Sequence, residues 1–134
     1  MKIQQYLLVL LEVLFPYMLN ADVTEDIHFS HIGLEEGLSH STIFAINQDK
    51  GGNLWFATYD GVNKYDGYNF IVYRHQYTNP KSIASDISRC ITMDDSDRIW
   101  IGTREGLSLY NHYKDEFSNY YYKRNGLNVA VTSI

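Results

Sequence analysis

The chain writes one phrase twice. GGNLWFATYDGVNKYDG, from Gly51 to Gly67, returns as SDRIWIGTREGLSLYN, from Ser96 to Asn111. Sliding the sequence on itself by 45 residues aligns Ile46 with Ile91, Asp49 with Asp94, Trp55 with Trp100, Thr58 with Thr103, Gly61 with Gly106 and Tyr65 with Tyr110. These six identities fall within 25 gapless positions, and their neighbours are similar: Leu54 with Ile99, Asp60 with Glu105, Val62 with Leu107. Past Asp66 the register slips by two, because NHYKDE is longer than DGYN, and Phe70 then meets Phe117 while Tyr73 meets Tyr120. A fixed period of this size constrains the fold more than any single motif, because each copy must be the same supersecondary unit.

Each copy reads as four short strands. Apolar and β-branched runs bounded by Gly, Asp and Asn turns predict strands over 42–48, 54–58, 62–65 and 69–74 in the first copy. The second copy predicts them over 87–93, 99–103, 107–110 and 117–122. Asp60-Gly61 and Asp66-Gly67 are turns because glycine reaches positive φ at little cost. No amphipathic helix of useful length is expected after residue 22. Four strands per repeat of about 40–45 residues is the pattern of a β-propeller blade. The expected fold is therefore all-β, a partial β-propeller of two four-stranded blades plus an N-terminal strand and the start of a third blade. The organisation follows: 22–41 as N-terminal strand and connector, 42–83 as the first repeat, 84–124 as the second, and 125–134 as the start of a truncated third, where NGLNVAVTSI echoes EGLSHSTIFAI. On this reading Asp49, Trp55, Thr58, Gly61 and Tyr65, with Asp94, Trp100, Thr103, Gly106 and Tyr110, hold blades together, the large tryptophans filling the gap between neighbours.

The residues outside the repeat narrow the function. The net charge of −5 argues against nucleic acid as a partner, since phosphates demand a basic face. A single cysteine, Cys90, excludes a disulfide framework and a cysteine zinc site, and its apolar-alternating surroundings suit a small buried hydrophobe. The stretch MKIQQYLLVLLEVLFPYMLNA has the shape of a secretory signal peptide over 1–21, so a periplasmic or extracytoplasmic location is expected. Asp94-Asp95-Ser96-Asp97 fails the spacing of a calcium loop, because Arg98 and Ile99 fall where oxygen ligands and glycine should stand. His28 and His31, three apart on a strand, would point to opposite faces and bind no metal together. No nucleophile motif and no phosphate loop occurs, so no catalytic residue, cofactor or metal is expected. Propellers place ligands on the face built by loops between strands, which makes Tyr59, Asp60, Arg104 and Glu105 the candidate ligand residues.

The order and spacing of these pieces resemble one family. GLS at 37–39, the D-x-x-G-x-LW-x-x-T-x-x-G core through Asp49, Gly52, Leu54, Trp55, Thr58 and Gly61, YDGYNF at 65–70, and the second core from Asp94 to Tyr110 are similar to the two-component-regulator propeller repeats at the N-terminus of Bacteroidetes hybrid two-component sensors. The resemblance covers about residues 28–134, and it implies that His28–Ile32 is a strand completing a last blade. It implies a glycan-responsive periplasmic sensor upstream of a histidine kinase, a phosphorelay and a DNA-binding domain, none of which this chain contains. It implies as partners the remaining blades or an intact sensor chain and an oligosaccharide ligand, with a homodimer only in the full-length form. A ring needs about four to eight blades, so the expected product is a sensor fragment that is not itself an enzyme. The rival readings are a fragment of a propeller polysaccharide lyase or glycosidase, and a non-functional truncated product.

Overall fold

The computed structural model describes residues 28–134; the expected signal peptide over 1–21 lies outside them. Every regular element among the described residues is a strand. β1 (Ile43–Gln48), β2 (Leu54–Thr58), β3 (Val62–Tyr65) and β4 (Phe70–Tyr73) form one antiparallel sheet in that order. β5 (Ser88–Met93), β6 (Ile99–Thr103), β7 (Leu107–Asn111) and β8 (Glu116–Tyr120) form a second sheet of the same topology. Each is a meander, because the turns are too short for any connection but that to a neighbouring antiparallel strand. The two sheets share even their irregularity. Pairing slips between Ile43 and Ala45 in the first and between Ser88 and Cys90 in the second, 45 residues apart.

Register decides which side chains share a face. Trp55 lies beside Lys64 and Ala57 beside Val62, while Leu54, Tyr65 and Phe70 line up on the opposite face. In the second sheet Ile99, Tyr110 and Phe117 share one face, and Trp100, Leu109 and Ser118 the other. The core forms where the tryptophan face of the first sheet meets the Ile99 face of the second. It contains Trp55, Ala57, Val62, Ile83, Ile91, Ile99, Ile101, Tyr110 and Phe117. Trp55 stacks nearly parallel to Tyr73 of its own sheet, at 5.8 Å and 10°, and is tilted against Tyr110 of the second at 4.9 Å. Both separations lie in the range where aromatic pairs add to simple burial.

A short segment ahead of each first strand plugs its own sheet. Leu38 and Ile83, 45 residues apart, are both buried. The backbone beside each is held by a buried polar side chain: Ser39 N donates to Asn63 Oδ1 at 2.9 Å, and Ala84 N to Ser108 Oγ at 3.1 Å. Leu127, which follows Gly126 as Leu38 follows Gly37, is 74% exposed. It belongs instead to a small hairpin of β9 (Lys123–Arg124) and β10 (Leu127–Asn128), turned by Asn125 and Gly126 at positive φ. That hairpin differs from the expected single run over 117–122, which ends as a strand at Tyr120. His28–Ile32, expected as a strand, adopts no strand conformation and pairs with neither sheet.

Cross-strand size is conserved between copies where residue identity is not. The pair Ala45 and Ala57 in the first sheet becomes Cys90 and Gly102 in the second. A Cβ on Gly102 would run into Cys90 Sγ and come within 2.8 Å of the Val131 carbonyl. Gly102→Ala is therefore expected to cost about 1–3 kcal/mol by overpacking. Cys90→Ala in the same chain should recover at least half of it; urea denaturation of the single and double variants measures both. Trp55 is fully buried whereas Trp100 is half-exposed, because only the first has a sheet packed over it. Trp55→Ala should cost about 3–5 kcal/mol and Trp100→Ala less than half as much. Equal losses in the same denaturation assay would contradict the inter-sheet role of Trp55.

Candidate functional site

Three hydrogen-bond units organise the sheets, two of them repeated in both copies at the sheet ends. The first joins an aspartate to the tryptophan six residues on. Trp55 Nε1 donates to Asp49 Oδ2 at 2.9 Å, and Trp100 Nε1 donates to Asp94 Oδ2 at 2.9 Å. The same carboxylates accept turn amides, from Asn53 N at 2.9 Å and from Arg98 N at 3.0 Å. One buried acid thus satisfies an indole N–H and closes a hairpin turn, groups that would be costly to leave unpaired.

The second unit closes the opposite turn. Thr58 Oγ1 donates to Gly61 O at 2.9 Å and Thr103 Oγ1 to Gly106 O at 2.8 Å, both with the threonine buried. Glycine is required at the end of that turn because the adjoining strand passes too close for a side chain. A Cβ on Gly61 would strike the Tyr73 carbonyl, and one on Gly106 would lie 2.6 Å from that of Tyr120. Gly61 also has φ of +93°, which other residues rarely adopt.

The third unit lies between the blades. Tyr73 and Tyr110 both donate to Asp115 Oδ1, at 2.6 and 2.7 Å, with their hydroxyls 3.1 Å apart. Burial, with the Asp115 hydrogen bond, pushes the Tyr110 phenol up to about 12 and the Tyr73 phenol further still. The two phenol hydrogen bonds hold the Asp115 carboxyl below its usual range. The repeat alignment could not anticipate this cluster, since Asp115 belongs to the longer loop of the second copy alone.

The four loop candidates occupy the turns after Thr58 and Thr103. Those turns bond to the residues just ahead of β1 and β5, Tyr59 N donating to Thr42 O and Arg104 N to Ile87 O. All four residues therefore lie at one end of the two sheets. Tyr59 is half-exposed, with its ring 5.5 Å from that of His40. Asp60 is clamped by Arg74, whose Nε and Nη2 reach its two oxygens at 3.1 and 2.9 Å. Glu105 accepts from Asn128 Nδ2 at 3.4 Å, and Arg104 is exposed. No hydrogen bond among the described residues links the Tyr59–Asp60 turn to the Arg104–Glu105 turn. The surface offers polar and aromatic groups to a ligand but no paired acids. His40, Arg74 and Asn128 join the four candidates there; nothing in the spacing of the sequence pointed to them. No cluster of three or more metal-ligating side chains occurs among the described residues.

The carboxylates give the fold an acid limit. Its hydrogen bonds to Trp100 and Arg98 hold Asp94 at about 2, below the ordinary value of 3.8. Burial pushes Asp49 upward, but its bonds to Trp55 and Asn53 outweigh it and the group lies below the ordinary range. A folded value below the unfolded one stabilises the protein fully above the unfolded value and is lost as pH falls through the folded one. Stability should be flat from pH 7 to about 5 and fall between about 4 and 2. Asp94→Asn should flatten part of that fall, as read by urea midpoints across the pH series.

The geometry agrees with the comparisons to known proteins. A sequence profile described as "Two component regulator propeller" matches residues 37–60 and 82–105, each beginning at a plug segment and ending in the turn after the buried threonine. Over 49 residues the chain is 47% identical to "Histidine kinase P4" of Formosa agariphila, covering 37% of this chain and 4% of that protein. It superposes on the extracellular domain of what is described as a hybrid two component system from B. thetaiotaomicron with a TM-score of 0.64 at 37% identity, over 75% of this chain and 14% of that one. The extracellular domain of a one component system from the same organism superposes with a TM-score of 0.61 at 20% identity, over 76% of this chain and 15% of that one, and shares the fold. The chain thus spans a small part of the length of each of these relatives. Its two sheets are propeller blades, and residues 37–60 and 82–105 match the two-component regulator propeller repeat.

Proposed function

We propose that this chain is part of the extracytoplasmic sensor region of a hybrid two-component signalling protein, and that its loop end contacts a glycan. The observation that carries this reading is the likeness, at 37% identity, to the extracellular domain of a hybrid two component system. The apolar stretch from Tyr6 to Leu19, read as a signal peptide, supports an extracytoplasmic location. Tyr59 and Arg104 supply an exposed ring and a charged fork at the loop end, groups that suit a pyranose face and its hydroxyls. Signalling would follow from a ligand that binds one arrangement of sensor domains better than another, shifting their equilibrium. The remaining blades and the kinase would be supplied by an intact sensor chain.

An enzymatic reading has less support. Asp60 is bound up with Arg74, which leaves it poorly placed to act with Glu105 as an acid–base pair. The Tyr73 and Tyr110 phenols are pushed upward by burial, away from the lowered value that a tyrosine base needs. Isothermal titration of an intact sensor carrying these blades against a panel of oligosaccharides is the test. Heat of binding to at least one, weakened about tenfold or more in Tyr59→Ala or Arg104→Ala (about 1.4 kcal/mol), is the expected result. No heat across the panel would end the glycan reading, and cleavage products would restore the enzymatic one.

A further inference from the structure

Three places in the chain put an aspartate or asparagine directly before a glycine: Asp60-Gly61, Asp66-Gly67 and Asn125-Gly126. Such pairs carry a latent reaction. The glycine amide nitrogen can close a five-membered ring on the side-chain carbonyl carbon, and no Cβ on the glycine obstructs it. The structure separates the three. Asp60 is gripped by Arg74 at 3.1 and 2.9 Å, and Gly61 N donates to Asp86 O at 2.6 Å. Asp66 Oδ1 accepts Tyr68 N at 2.8 Å and Asn69 N at 2.7 Å, in a turn between strands of a four-stranded sheet. Asn125 and Gly126 lack such restraints. Among the described residues no hydrogen bond holds the Asn125 side chain, both residues are exposed, and the space where a Gly126 Cβ would stand is empty.

The turn around Asn125 opens easily. Asn125 at φ of +54° and Gly126 at +78° join strands of two residues each. A two-stranded hairpin is marginal by itself, and this one extends neither four-stranded sheet. Opening lets the Asn125 backbone leave the left-handed region and bring its Cγ to Gly126 N. Lys123 and Arg124 stand exposed immediately before it, and their positive charge favours the deprotonated amide that attacks. This openness does not depend on where the sequence ends. Lys81, at the same repeat position ahead of the second blade, is exposed although a whole blade follows it.

We infer that Asn125 is a site of spontaneous covalent modification, converting to aspartate and isoaspartate. Gly126 N bonds to Asn125 Cγ, the Cγ–Nδ2 bond breaks, and ammonia leaves with the Gly126 amide proton. Water then opens the ring at either carbonyl. Opening at the main-chain carbonyl leaves Gly126 joined through the side chain, which lengthens the backbone of the turn by one carbon. The lengthened turn cannot keep Arg124 opposite Leu127 and Lys123 opposite Asn128. Asn128 donates to Glu105 Oε2 at 3.4 Å, so the modification also removes a contact of the loop end. The site itself does not rest on the glycan reading.

The test incubates the full chain at mildly alkaline pH, folded and unfolded in guanidinium chloride, and maps isoaspartate by enzymatic methylation and mass spectrometry of its peptides. Asn125 should convert in the folded chain at a rate within a few-fold of that in the unfolded one. Asp60 and Asp66 should rearrange many-fold more slowly when folded. Asn125→Gln should remove the product, because the longer side chain must close a larger and slower ring. Amide hydrogen exchange at Val129, whose N donates to Tyr122 O at 2.9 Å, should speed up in the isoaspartate fraction. Folding that protects Asn125 as strongly as Asp60 and Asp66 would overturn the inference, and so would protection of none of the three. Unchanged exchange at Val129 would refute the effect on the hairpin.

Discussion

Trp55 is the contact on which the described structure depends. A four-stranded meander has two faces and cannot bury both by itself, so its large apolar side chains need a second sheet. Trp55 meets that need from one side, lying flat on Tyr73 and tilted against Tyr110 of the neighbouring sheet. The rest of the core arranges itself around that junction, with Ile91, Ile99, Ile101 and Phe117 offered by the second sheet and Ala57 and Val62 by the first. Lys64 lies 5.6 Å over the indole, so its charged end stays near water while its stem extends the cover.

A tryptophan brings an N–H with it, and Asp49 satisfies that of the buried Trp55 as Asp94 satisfies that of the half-buried Trp100. Each accepts the indole proton and the amides of its own hairpin turn, so that one group links turn closure to inter-sheet packing. The buried threonines at the other end do the equivalent for the tight turns. These polar repeats leave the outward loop positions free to vary. Tyr59 and Arg104 share one repeat position but not a chemistry, as expected of positions that packing does not dictate.

The same logic makes the two ends of the pair unequal to its middle. Where a neighbouring sheet exists, Trp55, Tyr110 and Ile91 are buried; where it does not, their counterparts Trp100 and Tyr65 are half-buried and Ile46 is exposed. In a closed propeller each blade face is covered by its neighbour.

The repeat made the two sheets legible: Trp, Thr and Gly at fixed spacing, with Asp-Gly turns, placed β2, β3 and β6 at their observed bounds. The strand that the family resemblance implied at 28–32 was not so determined, because a strand forms only where another strand pairs with it. Nor could spacing reveal that Asp115 would gather Tyr73 from the other sheet, or that Arg74 would take hold of Asp60, since the first contact needs the two sheets to pack and the second needs β3 to pair with β4. By itself, then, the sequence determined the unit, through local turn chemistry and a period-two pattern that depends only on near neighbours. Only the tertiary structure decided which copy of each residue is buried, because burial belongs to the face that a second sheet covers and not to the residue.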